Sequence, residues 1–200
     1  MLDIVIIGAG GFAREIETLL PSFLPDQPHQ LKGFLGNDQG VPSNHDLSDR
    51  LLGDPDSYQP QSNDRFVLAI GNMDARRRIV DGLLDRGGQF LTLVHPTAIV
   101  APTATLEQGV LVYPYAVVSN NAQLQVAVKL NYYASVGHDT QLGKCCLLAP
   151  YATVNGFGVL KDEVYLSTHS TVAPQVTVGY RSILSANSAA MQNVPDRSLV

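Results

Sequence analysis

A six-residue repeat in the second half of this 200-residue chain constrains its fold more than any other feature. From position 100 onward every sixth residue is aliphatic, and the residue two places before each one is small. A period of six matches neither the 3.6-residue turn of a helix nor the alternation of a hairpin strand. It matches a chain that turns a corner every six residues, so that three hexads close a triangular coil. The aliphatic positions are Val100, Leu106, Val112, Val118, Leu124, Leu130, Val136, Leu142, Leu148, Val154, Leu160, Leu166, Val172, Val178, Leu184 and Ala190.

The repeat predicts a solenoid. Residues 95–190 supply sixteen hexads, which is a little over five coils. Each aliphatic side chain is expected to point inward and to stack on its equivalents in the coils above and below. The small residue is expected to fit the crowded turn. A solenoid of this kind buries a continuous core because each coil contacts only its neighbours.

The first third of the chain has a different pattern, in which short apolar runs alternate with amphipathic stretches. We predict strands at 3–7, 31–35, 65–70 and 90–94, and helices at 12–20 and 74–86. Pro21 is expected to end the first helix, and Asp74 is expected near the start of the second. Strand, glycine turn, helix and strand in this order indicate a parallel sheet. About 90 residues suffice for one mononucleotide-binding half and not for a complete dinucleotide fold.

Composition excludes several classes of function. Lysine and arginine total 13 against 18 acidic residues, so the formal net charge is −5 and the sequence pI is near 5.4. An acidic chain without basic clusters is not expected to bind nucleic acid. No apolar run reaches the ~20 residues that span a bilayer, and the N-terminus resembles a buried strand rather than a signal peptide. Cys145 and Cys146 are adjacent, so neither a disulfide between them nor a zinc site is expected, which favours the cytoplasm.

Both halves together resemble a known family. The motifs are GAGGFAREI, AIGNMDARRRI, VHPTAIV and NYYASVGHDTQLGKCCLLAPYATVNG. They are similar to the hexapeptide-repeat nucleotide-sugar acetyltransferases of the sialic-acid O-acetyltransferase-like family, and the resemblance covers essentially the whole chain. It implies a Rossmann-like half-domain at 1–94 that binds the nucleotide sugar, followed by a left-handed parallel β-helix at 95–200. It also implies acetyl transfer from acetyl-CoA to a nucleotide-linked amino sugar, of the 4-amino-4,6-dideoxy type, for surface-glycan synthesis. Sugar O-acetylation is the alternative.

His138 is the first candidate catalytic residue. It lies four residues before the inward Leu142, near a corner from which a side chain faces outward, and Gly156 follows it one coil later. An imidazole suits general-base catalysis because its ordinary pKa of ~6.5 lies close to neutral pH. The resemblance implies that His138 is that base and that Asp139 orients it, although neighbouring strand residues point to opposite faces unless the backbone bends. It also implies that Asn131 contacts the acceptor sugar or the base, and that Gly156 N–H meets the thioester carbonyl of acetyl-CoA.

A second candidate site lies in the first domain. Gly8, Gly10 and Gly11 permit a close approach of backbone to a phosphate at the start of the first helix. The resemblance implies that this turn holds the pyrophosphate of a nucleotide sugar. Asp38, which follows the second strand, is a candidate for contact with the base or ribose. Gly71 and Asn72 follow the third strand and are expected at the same edge of the sheet.

The sequence departs from the family pattern at several positions. Gly36-Asn37-Asp38 stands where relatives often have Asp-Asp, which leaves the nucleobase open. Leu147 stands where some members have a second histidine that helps to bind the cofactor. The family's Gly-Asn-Val is Gly156-Phe157-Gly158 here, and the chain ends at Val200 where relatives continue towards the adenine end of the cofactor. These departures imply that acetyl-CoA binding is weakened or is completed differently.

Three other classes of function remain as alternatives. An NAD(P)-dependent oxidoreductase needs a second half-sheet, which the solenoid replaces. A γ-class carbonic anhydrase binds metal through three histidines, but His138 and His169 are 31 residues apart, which is not a multiple of the coil length. A non-catalytic scaffold is the third. Of the cysteines, Cys146 occupies a small turn position and is expected to be packed rather than nucleophilic.

The resemblance also implies a homotrimer with the cofactor in the groove between neighbouring chains. Aromatic residues that lie outside the inward positions are expected to be exposed and to supply the interface. They are Tyr113, Tyr115, Tyr132, Tyr133 and Tyr151.

Overall fold

A computed structural model describes residues 1–36 and 47–200 of the chain. These residues form two compact units, Met1–Leu91 and Thr92–Val200. Within the described ranges, no helix combines the length and the apolarity that crossing a bilayer would require.

The first unit is a four-stranded parallel sheet with two helices. Its strands are β1 (Leu2–Ile7), β2 (His29–Leu35), β3 (Leu51–Gly53) and β4 (Asp64–Leu68), and its helices are α1 (Gly11–Phe23) and α2 (Met73–Asp85). The strand order is β3-β2-β1-β4, so the chain crosses from one side of β1 to the other. The second half of β1, from Ile4 to Ile7, is fully buried, as expected for a strand paired on both sides in a parallel sheet. This arrangement confirms the predicted Rossmann-like half-domain.

Two details of this unit correct the sequence predictions. Pro21 lies inside α1 and does not end it, because proline in the last turn removes only one helical hydrogen bond and the N–H of Leu24 still donates to the carbonyl of Leu20. The strand expected at 90–94 is divided between the units. Phe90 forms an isolated bridge with Phe66 of β4, whereas the next strand, β5, pairs in the solenoid.

The second unit is a parallel β-helix, which confirms the fold predicted from the hexads. It consists of seventeen two-residue strands in three parallel sheets of five, six and six strands. Each strand pairs with the strand eighteen residues later, as Gln123–Leu124 pairs with Gln141–Leu142. The strands are β5 (Leu93–Val94), β6 (Ile99–Val100), β7 (Thr105–Leu106), β8 (Leu111–Val112), β9 (Val117–Val118), β10 (Gln123–Leu124), β11 (Lys129–Leu130), β12 (Ser135–Val136), β13 (Gln141–Leu142), β14 (Leu147–Leu148), β15 (Thr153–Val154), β16 (Val159–Leu160), β17 (Tyr165–Leu166), β18 (Thr171–Val172), β19 (Thr177–Val178), β20 (Ile183–Leu184) and β21 (Ala189–Ala190).

The core of the β-helix is the column of aliphatic hexad positions. From Val112 to Leu184 these side chains are at most 1% exposed. Burial of each Val or Leu side chain contributes about 1.5–3 kcal/mol of transfer free energy. The small turn residues complete the core. Three of them, Thr140, Ser170 and Ser188, carry a hydroxyl group that donates a hydrogen bond to the carbonyl three residues earlier. Thr140, for example, donates to the carbonyl of Gly137 at 2.9 Å.

The corners depend on residues with left-handed backbone conformation. Every sixth residue from Tyr115 to Asn187 has a φ between 55° and 63°, and none of these residues is glycine. Such a conformation costs about 1–2 kcal/mol for a residue with a Cβ. Hydrogen bonds between coils compensate, as when the N–H of Asp139 donates to the carbonyl of Asn120 at 2.9 Å. We name two of the three corners by their residues: the His corner holds Asn121, Asp139, Phe157 and Gln175, and the Tyr corner holds Tyr115, Tyr133, Tyr151, His169 and Asn187.

Candidate active site

His138 and Asp139 form a hydrogen-bonded pair at the His corner. Nδ1 of His138 lies 2.8 Å from Oδ2 of Asp139. Consecutive residues of an extended strand cannot pair in this way, but Asp139 has a φ of 57°, which turns its side chain to the same side as the imidazole. The His138 side chain is 58% exposed and so is accessible to a substrate.

The pairing fixes which nitrogen of the neutral imidazole carries the proton. An ionised carboxylate only accepts hydrogen bonds, so Nδ1 donates and Nε2 has a free lone pair. Asn121 donates a second hydrogen bond to the carboxylate, from Nδ2 to Oδ1 at 3.0 Å. The hydrogen bonds from Asn121 and then from His138 hold the pKa of the Asp139 carboxyl below its usual value. The carboxylate therefore stays charged at neutral pH.

Gly156 and Phe157 of the next coil pack against the imidazole. A Cβ at Gly156 would lie 2.7 Å from Nε2 of His138, so this imidazole position requires glycine there. The ring of Phe157 contacts the imidazole edge to face, with centroids 5.1 Å apart and an interplanar angle of 90°. Among the described residues, none accepts a hydrogen bond from the N–H of Gly156.

A cavity of about 550 Å³ opens beside this pair. Its wall combines hydroxyl, amide and apolar groups, and among the described residues of its lining only His138 is titratable. The hydroxyls of Ser135 and Thr153 lie 3.1 Å apart and form a short ladder along the wall. The other principal lining residues are Ser119, Asn155, Gly156, Phe157, Pro174 and Gln175. The arrangement offers a proton acceptor, hydrogen-bonding groups for a polar substrate and an aromatic edge.

Asn131, the third residue predicted for this site, lies elsewhere. Its Oδ1 accepts a hydrogen bond from the N–H of Tyr132 at 2.8 Å, at the start of the turn that holds Tyr133 on the Tyr corner. The described contacts within one chain do not bring Asn131 to His138.

A second cavity, of about 600 Å³, lies in the first unit at the carboxyl ends of its parallel strands. Gly8, Gly10 and Asn72 line it, as the sequence predicted, whereas Gly11 and Gly71 are not in its lining. The side chain of Asn72 also caps α2 by accepting a hydrogen bond from the N–H of Ala75, and Asp74 lies in the first turn of this helix, as predicted. Asp38 lies outside the described residues.

The glycines of this cavity have different roles. Gly8 has a φ of +117°, and a Cβ there would lie 2.6 Å from the carbonyl oxygen of Ala69, so Gly8 is required by the fold. Its N–H donates to the carbonyl of Leu35 at 2.7 Å and is not available to a ligand. Gly10 is open, because a Cβ there would meet no atom within 4 Å. It directly precedes α1 and supplies no side-chain cap, and the start of a helix favours an anion.

The acidic and basic residues of the second cavity, and one residue that contacts the His138–Asp139 pair, were not predicted from the sequence. Asp54, Asp56 and Arg78 line the cavity of the first unit, and Arg78 forms an ion pair with Asp56. Asp54 and Asp56 follow β3, a three-residue strand that was not predicted. Asn121 was missed although it precedes Asp139 by one coil length, which was the available signal.

The Tyr corner carries a ladder of stacked rings. Tyr115, Tyr133, Tyr151 and His169 stack in sequence, with centroid distances of 5.1, 4.8 and 4.6 Å and nearly parallel planes. His169 therefore lies on a different corner from His138. Among residues 1–36 and 47–200, no group of three or more His, Cys, Asp or Glu side chains is placed to hold a metal ion.

Two of the five tyrosines predicted to be exposed are not. Tyr113 is fully buried and Tyr132 is half-buried. The edge of Tyr132 contacts Tyr113 with centroids 5.1 Å apart, and the ammonium of Lys129 lies 4.3 Å from the Tyr113 ring centroid, so these neighbours cover Tyr113. Tyr115, Tyr133 and Tyr151 are exposed as predicted.

Comparison with known proteins gives consistent similarities for both units. Residues 3–83 match the PglD N-terminal domain family. Over 119 residues the chain is 28% identical to the UDP-N-acetylbacillosamine N-acetyltransferase of Bacillus subtilis (strain 168). That match covers 56% of this chain and 51% of the relative, so the chain spans about half the length of the curated relative it matches.

Two solved structures resemble the chain over nearly its whole length. PerB from Caulobacter crescentus, in complex with CoA and GDP-perosamine, has a TM-score of 0.83 at 26% identity, with 98% of this chain and 92% of PerB covered. The acetyltransferase domain of PglB from Neisseria gonorrhoeae FA1090, in complex with acetyl coenzyme A, has a TM-score of 0.82 at 26% identity. That comparison covers 97% of this chain and 93% of the domain.

Proposed function

We propose that this chain transfers an acetyl group from acetyl-CoA to the amine of a nucleotide-linked amino sugar, as the sugar N-acetyltransferases that it resembles suggest. The observation that carries the proposal is the hydrogen bond between Nδ1 of His138 and Asp139, which makes Nε2 the proton acceptor of the neutral imidazole beside the cavity. The two bound ligands of PerB, CoA and GDP-perosamine, support the same pair of substrates for this chain. The product would serve surface-glycan synthesis.

The reaction needs one base and one place for a developing negative charge. The amine nitrogen attacks the thioester carbonyl while Nε2 of His138 removes a proton from that nitrogen. The C–S bond then breaks, and the proton passes from the imidazolium to the leaving sulfur, which leaves as the free thiol. Asp139 stabilises the imidazolium between these two steps. In this scheme the N–H of Gly156, which donates to none of the described carbonyls, would donate to the oxygen of the tetrahedral intermediate.

Transfer is direct in this scheme, without an acyl-enzyme. Cys145 and Cys146 are both buried, and Sγ of Cys146 lies 3.1 Å from the carbonyl oxygen of Lys161, to which it donates. A buried thiol is a poor nucleophile because burial disfavours the thiolate. Two reduced cysteines are consistent with residence in the cytoplasm, which is part of the proposal.

The first unit would bind the nucleotide diphosphate. The uncapped start of α1 and the open backbone at Gly10 suit a pyrophosphate, and Arg78 adds a positive charge at the same cavity. Asp54 is the described carboxylate of this lining that would meet the ribose or the base, since Asp56 is paired with Arg78.

The test is release of free CoA thiol from acetyl-CoA across a panel of UDP-, GDP- and dTDP-linked amino sugars. Each sugar is paired with its counterpart that carries a hydroxyl in place of the amine. We expect turnover with at least one amino sugar, a product that gains one acetyl group, and none with the paired hydroxyl sugar. Turnover of hydroxyl sugars alone would establish the O-acetyltransferase alternative, and no thiol release from any member would overturn the proposal.

We also propose that the active form is a homotrimer in which the Tyr corner lies at the interface between chains. Tyr115, Tyr133 and Tyr151 are 46–53% exposed, and aromatic side chains are enriched in interfaces of this kind. Sedimentation equilibrium at micromolar concentration tests the assembly. A mass of three chains is expected for the wild type and a lower mass for Tyr133→Glu, whereas a monomeric wild type would exclude the trimer.

A further inference from the structure

Asn121 connects the base to the preceding coil. Its Nδ2 donates to Oδ1 of Asp139 at 3.0 Å, and Oδ2 of the same carboxylate accepts from His138 at 2.8 Å. Each oxygen of the carboxylate therefore has its own partner, on opposite sides. Three side chains, two of them on the His corner of successive coils, form one continuous hydrogen-bonded chain.

Asn121 is itself held in place. Its backbone N–H donates to Oγ1 of Thr103 at 3.0 Å, one coil further back, and its φ is 59°. Asparagine tolerates this left-handed conformation better than most residues with a side chain. The backbone of Asn121 is therefore held in place. The orientation of its side-chain amide is set by the Asp139 carboxylate, which only accepts hydrogen bonds.

The carboxylate needs this second contact. Asp139 is exposed enough for its side chain, at 35% of full exposure, to adopt other rotamers in water. One hydrogen bond to His138 leaves the carboxylate free to rotate about χ1 and χ2, whereas two hydrogen bonds on opposite oxygens restrict both angles. Without that restriction the imidazole loses its constant acceptor at Nδ1, and the proton is free to move to Nε2, where it blocks the base.

We propose that Asn121 is a positioning residue for the transfer reaction, which keeps Asp139 directed at Nδ1 and so keeps Nε2 of His138 free of its proton. This inference rests on the proposed function for its effect on rate. Asn121 comes from the preceding coil, and in this proposal it acts on the imidazole through Asp139 rather than by contact with either substrate. Among the described residues that line the adjacent cavity, none but His138 is ionisable, so the tautomer depends on this hydrogen-bonded chain.

Two substitutions at Asn121 test the proposal. Asn121→Gly removes the side-chain amide but adopts the left-handed backbone without strain. The hydrogen bond to Asp139 is therefore lost while the conformation of the corner is kept. Asn121→Asp keeps the shape of the side chain but, when ionised, has no proton to donate to Asp139. At pH 7.5 we expect both variants to lower kcat about tenfold, which is part of the ~10²–10⁴ that a positioned base supplies. KM for both substrates should change less than twofold.

A matched control distinguishes this role from a structural one. Ala127 has the same left-handed backbone, with a φ of 58°, but it lies on the third corner, with Cys145, Glu163 and Arg181. Ala127→Gly should leave kcat at the wild-type level. Equal losses of kcat in Asn121→Gly and Ala127→Gly would show a general effect on corners and would overturn the proposal.

A spectroscopic measurement tests the tautomer without any activity. In ¹⁵N-histidine-labelled protein, the imidazole signals of His138 are assigned by their loss in His138→Asn. Above pH 8 the wild type should show a protonated Nδ1 and an unprotonated Nε2, and Asn121→Gly should show a mixture of tautomers. An unchanged tautomer in Asn121→Gly overturns the proposal, as does a changed tautomer with unchanged kcat. If no substrate is turned over, the proposed function fails, and the tautomer measurement still decides the role of Asn121.

Discussion

Nδ1 of His138 and Oδ2 of Asp139 lie 2.8 Å apart although the two residues are consecutive in the chain. The left-handed backbone at Asp139 makes this possible, and the same conformation recurs every six residues because each corner of the coil requires it. The fold thus supplies, at every corner, a turn that can place two neighbouring side chains together. At the His corner that turn holds a base and its carboxylate.

Replacement of His138 by alanine should abolish most of the activity and leave the fold intact. We expect kcat to fall by ~10²–10⁴, the usual contribution of a positioned general base, while the KM values change much less. The thermal melting temperature should stay within about 2 °C, because an exposed corner residue adds little to the aliphatic column. Steady-state kinetics and circular dichroism provide the two readouts.

His29→Ala is the control for that variant, since His29 lies at the start of β2, at the opposite end of the strand from the cavity of the first unit. It should retain the wild-type kcat. A His138→Ala protein with near-normal turnover would remove this residue from the mechanism.

Replacement of Gly156 by alanine should displace the imidazole. The new methyl group would lie 2.7 Å from Nε2, closer than a Cβ contact allows, so the ring of His138 must move by about 1 Å. A displacement of that size costs about 10² in kcat. Gly82→Ala, in α2, is the matched control, because its Cβ would meet only the flexible end of Arg86 at 3.4 Å and should leave kcat unchanged. Full activity in Gly156→Ala would show that the imidazole does not need this position.

The hexad period was sufficient to predict the β-helix, its core and its outward corner at His138, because inward packing imposes the period directly on the sequence. The period alone predicted that Leu142 and its equivalents are buried. The pairing of His138 with Asp139 could be predicted only on the condition that the backbone bends at this point. No single residue type dictates that bend, because the corner positions include Tyr, Asn, Ala, Asp, Cys and Phe. The contact of Asn121 with Asp139 was recognised only in the structure, where the eighteen-residue coil brings the two side chains together.

The errors in the sequence predictions have local causes. Pro21 failed to end α1 because the helix had only one turn left and the missing hydrogen bond cost little. The apolar segment 90–94 has the sequence pattern of a single strand. In the structure Phe90 pairs with β4 of the first unit, whereas Leu93–Val94 pairs with β8 of the second unit, because the boundary between the units lies within this segment. Tyr113 was expected to be exposed because it lies outside the inward positions, whereas Lys129 and Tyr132 cover it from the next coil.

Asp64 should control the acid stability of the first unit. Its carboxylate is buried, and burial alone would raise its pKa, but hydrogen bonds from Lys32 (2.6 Å), the Gln61 N–H (2.9 Å) and Tyr58 (2.8 Å) hold the pKa below its usual value. A lowered pKa means that this stabilisation is complete above the unfolded value of ~3.9 and is lost as the pH falls through the folded value. At pH 7, Asp64→Asn should lower the free energy of unfolding by about 2–3 kcal/mol.

Hydrogen exchange of the β1 amides measures that stability in the intact chain. Between pH 5 and pH 3 the protection should fall more steeply in the wild type than in Asp64→Asn, after correction for the intrinsic exchange rate. Asp81→Asn is the control: it breaks the exposed ion pair with Arg77 on α2 and should cost less than about 0.5 kcal/mol. Equal acid sensitivity in the wild type and in Asp64→Asn would contradict the role given to this carboxylate.

Asp139→Asn should separate the charge of the carboxylate from its shape. An asparagine can still accept from Nδ1 but cannot stabilise the imidazolium that forms when the amine loses its proton, so we expect kcat to fall by about 10². Asp139 itself stays ionised from pH 5 to pH 8, because the hydrogen bonds from Asn121 and then from His138 hold its pKa below the usual value. The loss of kcat in the variant should therefore be the same across that range. Asp196→Asn is the matched control, since Asp196 is an exposed carboxylate of the same unit whose pKa is lowered by the Tyr180 N–H and then by Lys161. It should keep the wild-type kcat, and an Asp139→Asn protein with the same kcat would show that Asp139 holds the ring without acting on its charge.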